Sequence, residues 1–316
     1  MVGWHLLLLL VVEVTLYGAA ARHLHQHYGW SVMAATAFAI ALYLGIRVVL
    51  IGLEFLLTRW QGDPIPPEMR VPAGGLAKMY VRELGGWLLM FSLILPFVRS
   101  RRSVIDRHLD MPVRRTPVLL IHGLACNRGN WFWFRRRLEE KGLVVFTVDV
   151  TPPFARIDDF APQAARAVDE ILAATGADRV ILIGHSMGGL VARAYLDQFG
   201  DGKVAHVITL GSPHQGTWMT RFALGPNLRN MDLNSRWLAG LREREAQRAP
   251  QPYTGFTCVY TLHDNLVTPQ KNATLPGAEV IRLSGVGHLS MALSRPVFER
   301  VAAVLARVAP EIRDRR

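Results

Sequence analysis

Cysteine is scarce. Cys126 and Cys258 are the only two in 316 residues, and they stand at no spacing a metal site uses. A cysteine-held metal is therefore excluded, and Cys126 reads as a small packing residue. Acidic residues are also few, 25 against 36 basic ones, for a net charge of +11. Almost all of the basic charge is arginine. A basic excess can mean nucleic acid, but arginines that flank apolar segments and cover a surface explain it as well. No nucleic-acid partner is expected. No internal repeat is present, which removes solenoid architectures.

Charge is most nearly absent near the N-terminus. Residues 4–21 are almost entirely apolar with Glu13 as the one formal charge, residues 32–46 are apolar without interruption, and the pattern continues past Arg47 to Leu57. Each stretch approaches the roughly 20 residues that span a bilayer. The first lacks a basic leading region and is followed at once by the second. A retained two-helix hairpin over residues 1–60 is therefore favoured over a cleaved leader followed by one anchor. Trp4 and Trp60 would sit at one interface, Tyr28 and Trp30 at the other. Folding the hairpin about residue 26 brings Arg47 level with the start of the first helix, where it can snorkel, and leaves Glu13 without a partner. His23, His25 and His27 belong to a solvated connecting loop rather than a metal site.

Residues 61–114 read as a linker. Within it, residues 86–96 are apolar but too short to span comfortably. They form either an interfacial helix or a helix packed on the following domain. Arg59, Arg70, Lys78, Arg82, Arg99, Arg101, Arg102 and Arg107 follow the second apolar segment, whereas Arg22 alone marks the connecting loop. The bias predicts both termini in the cytoplasm.

From residue 115 the pattern changes to short apolar runs alternating with helical stretches. Strands are predicted at 117–121, 143–149, 179–183, 204–210, 257–262 and 279–283, and helices at 160–174, 188–199 and 292–308. This is the pattern of a mostly parallel sheet of about six strands buried on both faces. After the apolar run Val180-Ile181-Leu182-Ile183 comes Gly184-His185-Ser186-Met187-Gly188, then a helical stretch. A bare G-x-S-x-G is weak. Strand, tight turn and helix around it are the context a serine nucleophile requires. Asp264 and His288 also stand just past predicted strands. Asp149 and Asp232 are the competing acids; His122, His185, His214 and His263 are the competing histidines.

Residues 117–310 resemble bacterial lipases and esterases of the α/β-hydrolase fold. The matching segments are His122-Gly123-Leu124, Gly184-His185-Ser186-Met187-Gly188-Gly189, Gly211-Ser212-Pro213-His214-Gln215-Gly216-Thr217, Asp264 with Val267 and Pro269, and Gly287-His288. The resemblance implies Ser186 as nucleophile, His288 as base and Asp264 as its orienting acid. It implies the backbone N–H groups of Leu124 and Met187 as oxyanion donors. It implies a serine carboxylic ester hydrolase acting on lipid-like or other apolar esters at a bacterial inner membrane, with no cofactor and no metal. A thioesterase or acyltransferase would use the same three residues, and a non-catalytic scaffold is the alternative from another class. Residues 216–252 resemble a lipase cap, with Phe222, Leu224, Leu228, Met231, Leu233, Trp237, Leu238 and Leu241 as its apolar side. The other reading is helices packed on the sheet edge. Trp131, Phe132, Trp133 and Phe134 are shared between a substrate pocket and the core.

Overall fold

A computed structural model describes residues 2–98, 104, 116–222, 225–248 and 255–309. Leu224 and the arginines at 99, 101, 102 and 107 lie outside the described residues.

Six strands form one all-parallel sheet: β1 (Val118–Ile121), β2 (Val145–Val148), β3 (Val180–His185), β4 (Val204–Leu210), β5 (Phe256–Thr261) and β6 (Glu279–Leu283). Their spatial order is β2-β1-β3-β4-β5-β6. Side chains alternate across a strand, so each strand feeds both faces. Leu119, Ile121 and Leu182 point to one layer, with Ile157 and Phe160 of α5 (Ile157–Thr175) and Leu190 and Val191 of α6 (Met187–Phe199). Val118, Leu120, Ile181 and Ile183 point to the other, with Phe134 and Leu138 of α4 (Phe132–Glu140) and Phe298 and Val301 of α9 (Arg295–Val308). The continuous apolar runs of the central strands follow from this double burial. The chain reverses its winding between β1 and β3, and the crevice at their carboxyl ends is where α/β sheets build sites.

Helix α4 was not among the sequence expectations. The aromatics at its start divide: Trp131, just before it, and Phe134 are fully buried in the α9 layer, while Phe132 remains exposed. Trp131 and Phe134 serve the core. The insertion after β4 holds α7 (Pro226–Asn230) and α8 (Arg236–Ala246). Leu228, Met231 and Leu238 join the α5–α6 layer, and Arg193 of α6 pairs with Glu245 of α8 at 2.6 Å in the interior. These two helices are built into the domain.

Among the described residues three helices are long and apolar enough to cross a membrane, over Val2–Tyr28, Val32–Gln61 and Ala73–Phe97. The first two, α1 and α2, form an antiparallel hairpin, with Ser31 capping α2 by accepting from the Ala34 N–H at 3.1 Å. The turn centres near residue 30 rather than 26, because α1 continues through Tyr28. That shift corrects the reading of Glu13. It stands level with Arg47 and is ion-paired with it, and the guanidinium lies 4.2 Å from the Tyr43 ring centre. Pairing removes the cost of two lone charges among apolar helices.

The apolar segment at 86–96 is the end of a longer helix. Helix α3 (Ala73–Leu88) runs on through a wider π-type stretch, Leu89–Ile94, into a 3-10 turn, Leu95–Phe97. Pro96 has no N–H to donate, which ends the regular pattern. This element packs on both sides. Tyr80 donates to the Val48 carbonyl of α2, Ser92 bonds Tyr43 at 2.7 Å, and Met90 and Leu95 cover Cys126 beyond β1.

Candidate active site

The site is assembled at the carboxyl ends of β1, β3, β5 and β6. Ser186 sits between β3 and α6 with φ 55° and ψ −125°, a conformation that non-glycine residues rarely hold and that projects a side chain at a sharp turn. The flanking glycines are required by close approach. A Cβ on Gly184 would lie 2.5 Å from the Gly188 carbonyl carbon, and one on Gly188 would lie 2.2 Å from the Ile121 oxygen. The Ser186 N–H bonds the Leu210 carbonyl at 2.9 Å, which ties the turn to β4.

His288, fully buried, directs Nδ1 to Asp264 at 2.9 and 3.0 Å. An ionised carboxylate only accepts, so this bond fixes the proton on Nδ1 and leaves Nε2 as the accepting nitrogen. Burial by itself would lower the His288 pKa, but the carboxylates around it, Asp264 foremost and then Glu83 and Glu54, together hold it above its ordinary value of 6.5. Asp264 is held in turn by the N–H groups of Leu266 at 2.9 Å and Val267 at 2.7 Å. The segment after β4 explains itself here. Thr217 Oγ1 donates to the Leu266 carbonyl at 2.7 Å and accepts from the Thr268 N–H at 3.0 Å, bracing the Asp264 loop.

The competing residues have other employment. Asp149 accepts from the N–H and Nε of Arg128, each at 2.7 Å. Asp232 accepts from Thr220 Oγ1 and the Asn234 N–H in a turn. His122 is pinned by the Val150 N–H at 3.2 Å, and burial lowers its pKa. His214 bonds Thr209, and burial again lowers its pKa. His185 donates from Nε2 to the His288 carbonyl at 3.0 Å; burial, helped by the His288 charge, pushes its pKa down to about 3. The two rings lie 4.9 Å apart between centres, so the loop carrying His288 docks on the residue before the serine. Among the described residues no hydrogen bond joins Ser186 Oγ to His288. Leu124 follows Gly123, whose added Cβ would lie 3.0 Å from the Ser186 Cβ. Met187 opens α6, and Asn227 of α7 donates to its sulfur at 3.5 Å. The Cys126 thiol is buried and pushed up to about 12, which removes it as a nucleophile.

Three supporting residues were missed from sequence. Glu83 of α3 accepts from the N–H groups of Leu289 at 2.7 Å and Ser290 at 2.9 Å. Glu54 of α2 accepts from Asn265 at 2.7 Å, and Asn265 accepts from the His288 N–H at 2.9 Å. For Glu54 the available signal was a lone carboxylate in a largely apolar helix, the same signal that singled out Glu13.

The sheet and its flanking helices have the α/β-hydrolase fold, and residues 116–237 match the family model for the alpha/beta hydrolase fold. Within that fold the chain is 36% identical over 118 residues to a triacylglycerol lipase of Pseudarthrobacter phenanthrenivorans, across 34% of this chain and 36% of the relative. The identity is also 36% over 118 residues to a triacylglycerol lipase of Burkholderia plantarii, across 34% of this chain and 32% of the relative. The chain thus spans about a third of the length of these curated relatives. Among solved structures, the mature lipase BlEst2 of Bacillus licheniformis superposes with a TM-score of 0.52 at 20% identity, covering 61% of this chain and 94% of that one. That likeness concerns the fold.

Proposed function

We propose that the protein is a membrane-anchored serine hydrolase that cleaves carboxylic esters of apolar, lipid-like acyl groups. The observation that carries the reading is the buried His288–Asp264 pair, docked through His185 on the strained turn that presents Ser186. In this mechanism Ser186 Oγ attacks the ester carbonyl while His288 Nε2 takes its proton, a link that closes as substrate binds. Asp264 stabilises the imidazolium. The N–H groups of Leu124 and Met187 receive the developing oxyanion, each contributing ~3 kcal/mol to the barrier reduction. His288 then returns the proton to the leaving alcohol, and water, activated by the same nitrogen, releases the acyl group.

The lipase relatives support an ester substrate with an apolar acyl part. The apolar hairpin supports a lipid surface as its source, and the arginine bias supports a domain facing the cytoplasm from a bacterial inner membrane. A reporter that is active only after export, fused at the C-terminus, should stay silent. Activity is tested with a fluorophosphonate probe and a p-nitrophenyl ester series of increasing chain length. Wild-type protein should be labelled, and Ser186→Ala should lose both labelling and turnover while keeping its melting temperature. Ester turnover by Ser186→Ala would overturn the reading.

A further inference from the structure

The apolar N-terminal helices do more than lie beside the site. We infer that Glu83 and Glu54 are positioning residues for His288, so that the membrane anchor completes the catalytic centre; this role rests on the proposed hydrolase reading. Three groups grip the main chain around His288. His185 holds its carbonyl. Asn265, itself held by Glu54, fixes its N–H. Glu83 binds the two N–H groups that follow, together with the Ser290 hydroxyl. Two of these grips end on carboxylates more than 200 residues away in sequence.

Glu83 is completely buried. Its two oxygens receive three donors, the pattern an ionised carboxylate satisfies and an amide cannot. The room for it exists because position 287 is glycine: a Cβ there would lie 2.5 Å from Glu83 Oε2. The charged and titratable groups facing the His288 ring are Asp264 from the β5 loop, Glu83 from α3, Glu54 from α2 and neutral His185 from β3. The three carboxylates all favour the imidazolium, the form that must be stabilised as Ser186 gives up its proton.

A strut that merely fastens helix to domain would affect stability alone. A positioning role also changes the titration of His288 and the rate at saturating substrate. The full-length protein in detergent is therefore compared with Glu83→Gln, Glu83→Asp and Glu54→Gln. Glu83→Gln keeps the size but offers an N–H₂ where a donor already points. It should lower kcat by about tenfold or more, since small misplacements cost that much, with KM within about twofold of wild type. The acid limb of kcat/KM should move to lower pH by about half a unit or more, because an opposite charge near the imidazole is gone. Glu83→Asp retains the charge and should keep the acid limb in place while losing part of kcat. Glu54→Gln, which can still accept from Asn265, should shift the limb in the same direction and covers the case in which Glu83→Gln does not fold. Wild-type kcat and pH profiles in Glu83→Gln and Glu54→Gln, with only the melting temperature lowered, would overturn the role. Failure of the wild-type protein to react with fluorophosphonate would instead remove the hydrolase reading, and this role with it.

Discussion

Removing the Glu245 carboxylate tests whether the insertion after β4 is a fixed part of the domain. Arg193 on α6 has a side chain with no exposed surface, and Glu245 on α8 is 8% exposed. The pair is bidentate, Nε to Oε1 at 3.0 Å and Nη2 to Oε2 at 2.6 Å, and Arg193 Nη1 also donates to the His214 carbonyl at 2.9 Å. In Glu245→Ala the guanidinium cannot shed its proton and stays buried without the Glu245 carboxylate. Breaking one side of a buried pair costs about 3–5 kcal/mol. For a domain of this size each kcal/mol moves Tm by about 2–4 °C, so the expected drop is roughly 6–20 °C. The double substitution Arg193→Met with Glu245→Leu fills the space with apolar groups and should recover most of that loss. Thermal unfolding of the detergent-solubilised protein, followed by circular dichroism, measures both. A fall of less than about 2 °C in Glu245→Ala would refute the reasoning, since it would mean that α8 is already detached or the pair solvated. The same pair bears on gating: a lid that opened by moving α8 would have to separate these charges.

Further outcomes follow from the site geometry. Asp264→Asn can donate to His288 Nδ1 and so favours the wrong tautomer, and kcat should fall by about 10³–10⁴-fold; a loss below tenfold would point to another acid. Because Asp264, with Glu83 and Glu54, raises the His288 pKa above 6.5, wild-type kcat/KM should lose activity on acidification at a pH above that ordinary value, where the imidazolium can no longer accept a proton. In stability the sign is opposite. The His288–Asp264 contribution is fully present below the unfolded pKa and fades as pH rises through the raised folded value, which a series of denaturant midpoints would detect. Gly188→Ala sets a Cβ 2.2 Å from the Ile121 oxygen and 2.9 Å from the His122 oxygen. Both are backbone atoms with no flexible end to yield. A loss of about 1–3 kcal/mol or more is expected from denaturant titration, and wild-type stability would contradict the fit described for the turn.

The six-strand parallel sheet was legible because buried strands advertise themselves in apolar runs whose length and flanking turns depend only on nearby residues. Helix α4 was not. The aromatic residues at its start hide the 3.6-residue period, since Trp131 and Phe134 enter the core while Phe132 faces out. The insertion after β4 shows the same limit. Its apolar side was visible, but an apolar side does not say whether it covers a substrate or a sheet, and Leu228 and Leu238 turn out to pack in the α5–α6 layer.

What the amino-acid order determined by itself is the local chemistry: the glycine-flanked turn at Ser186, the strand that precedes it, and the occurrence of Asp264 and His288 just past two later strands. Each depends on residues within a few positions of one another, where steric demands leave few alternatives. Tertiary structure alone decided which carboxylate faces which partner. A three-residue hairpin turn beyond Tyr28, rather than a fold about residue 26, brings Glu13 to Arg47. Asp149 is committed to Arg128, which leaves Asp264 for His288. Glu54 and Glu83 reach the His288 loop because α2 and α3 pack against the carboxyl end of the sheet. Pairing between residues hundreds of positions apart leaves no periodic trace in the chain, because it depends on where whole elements come to rest.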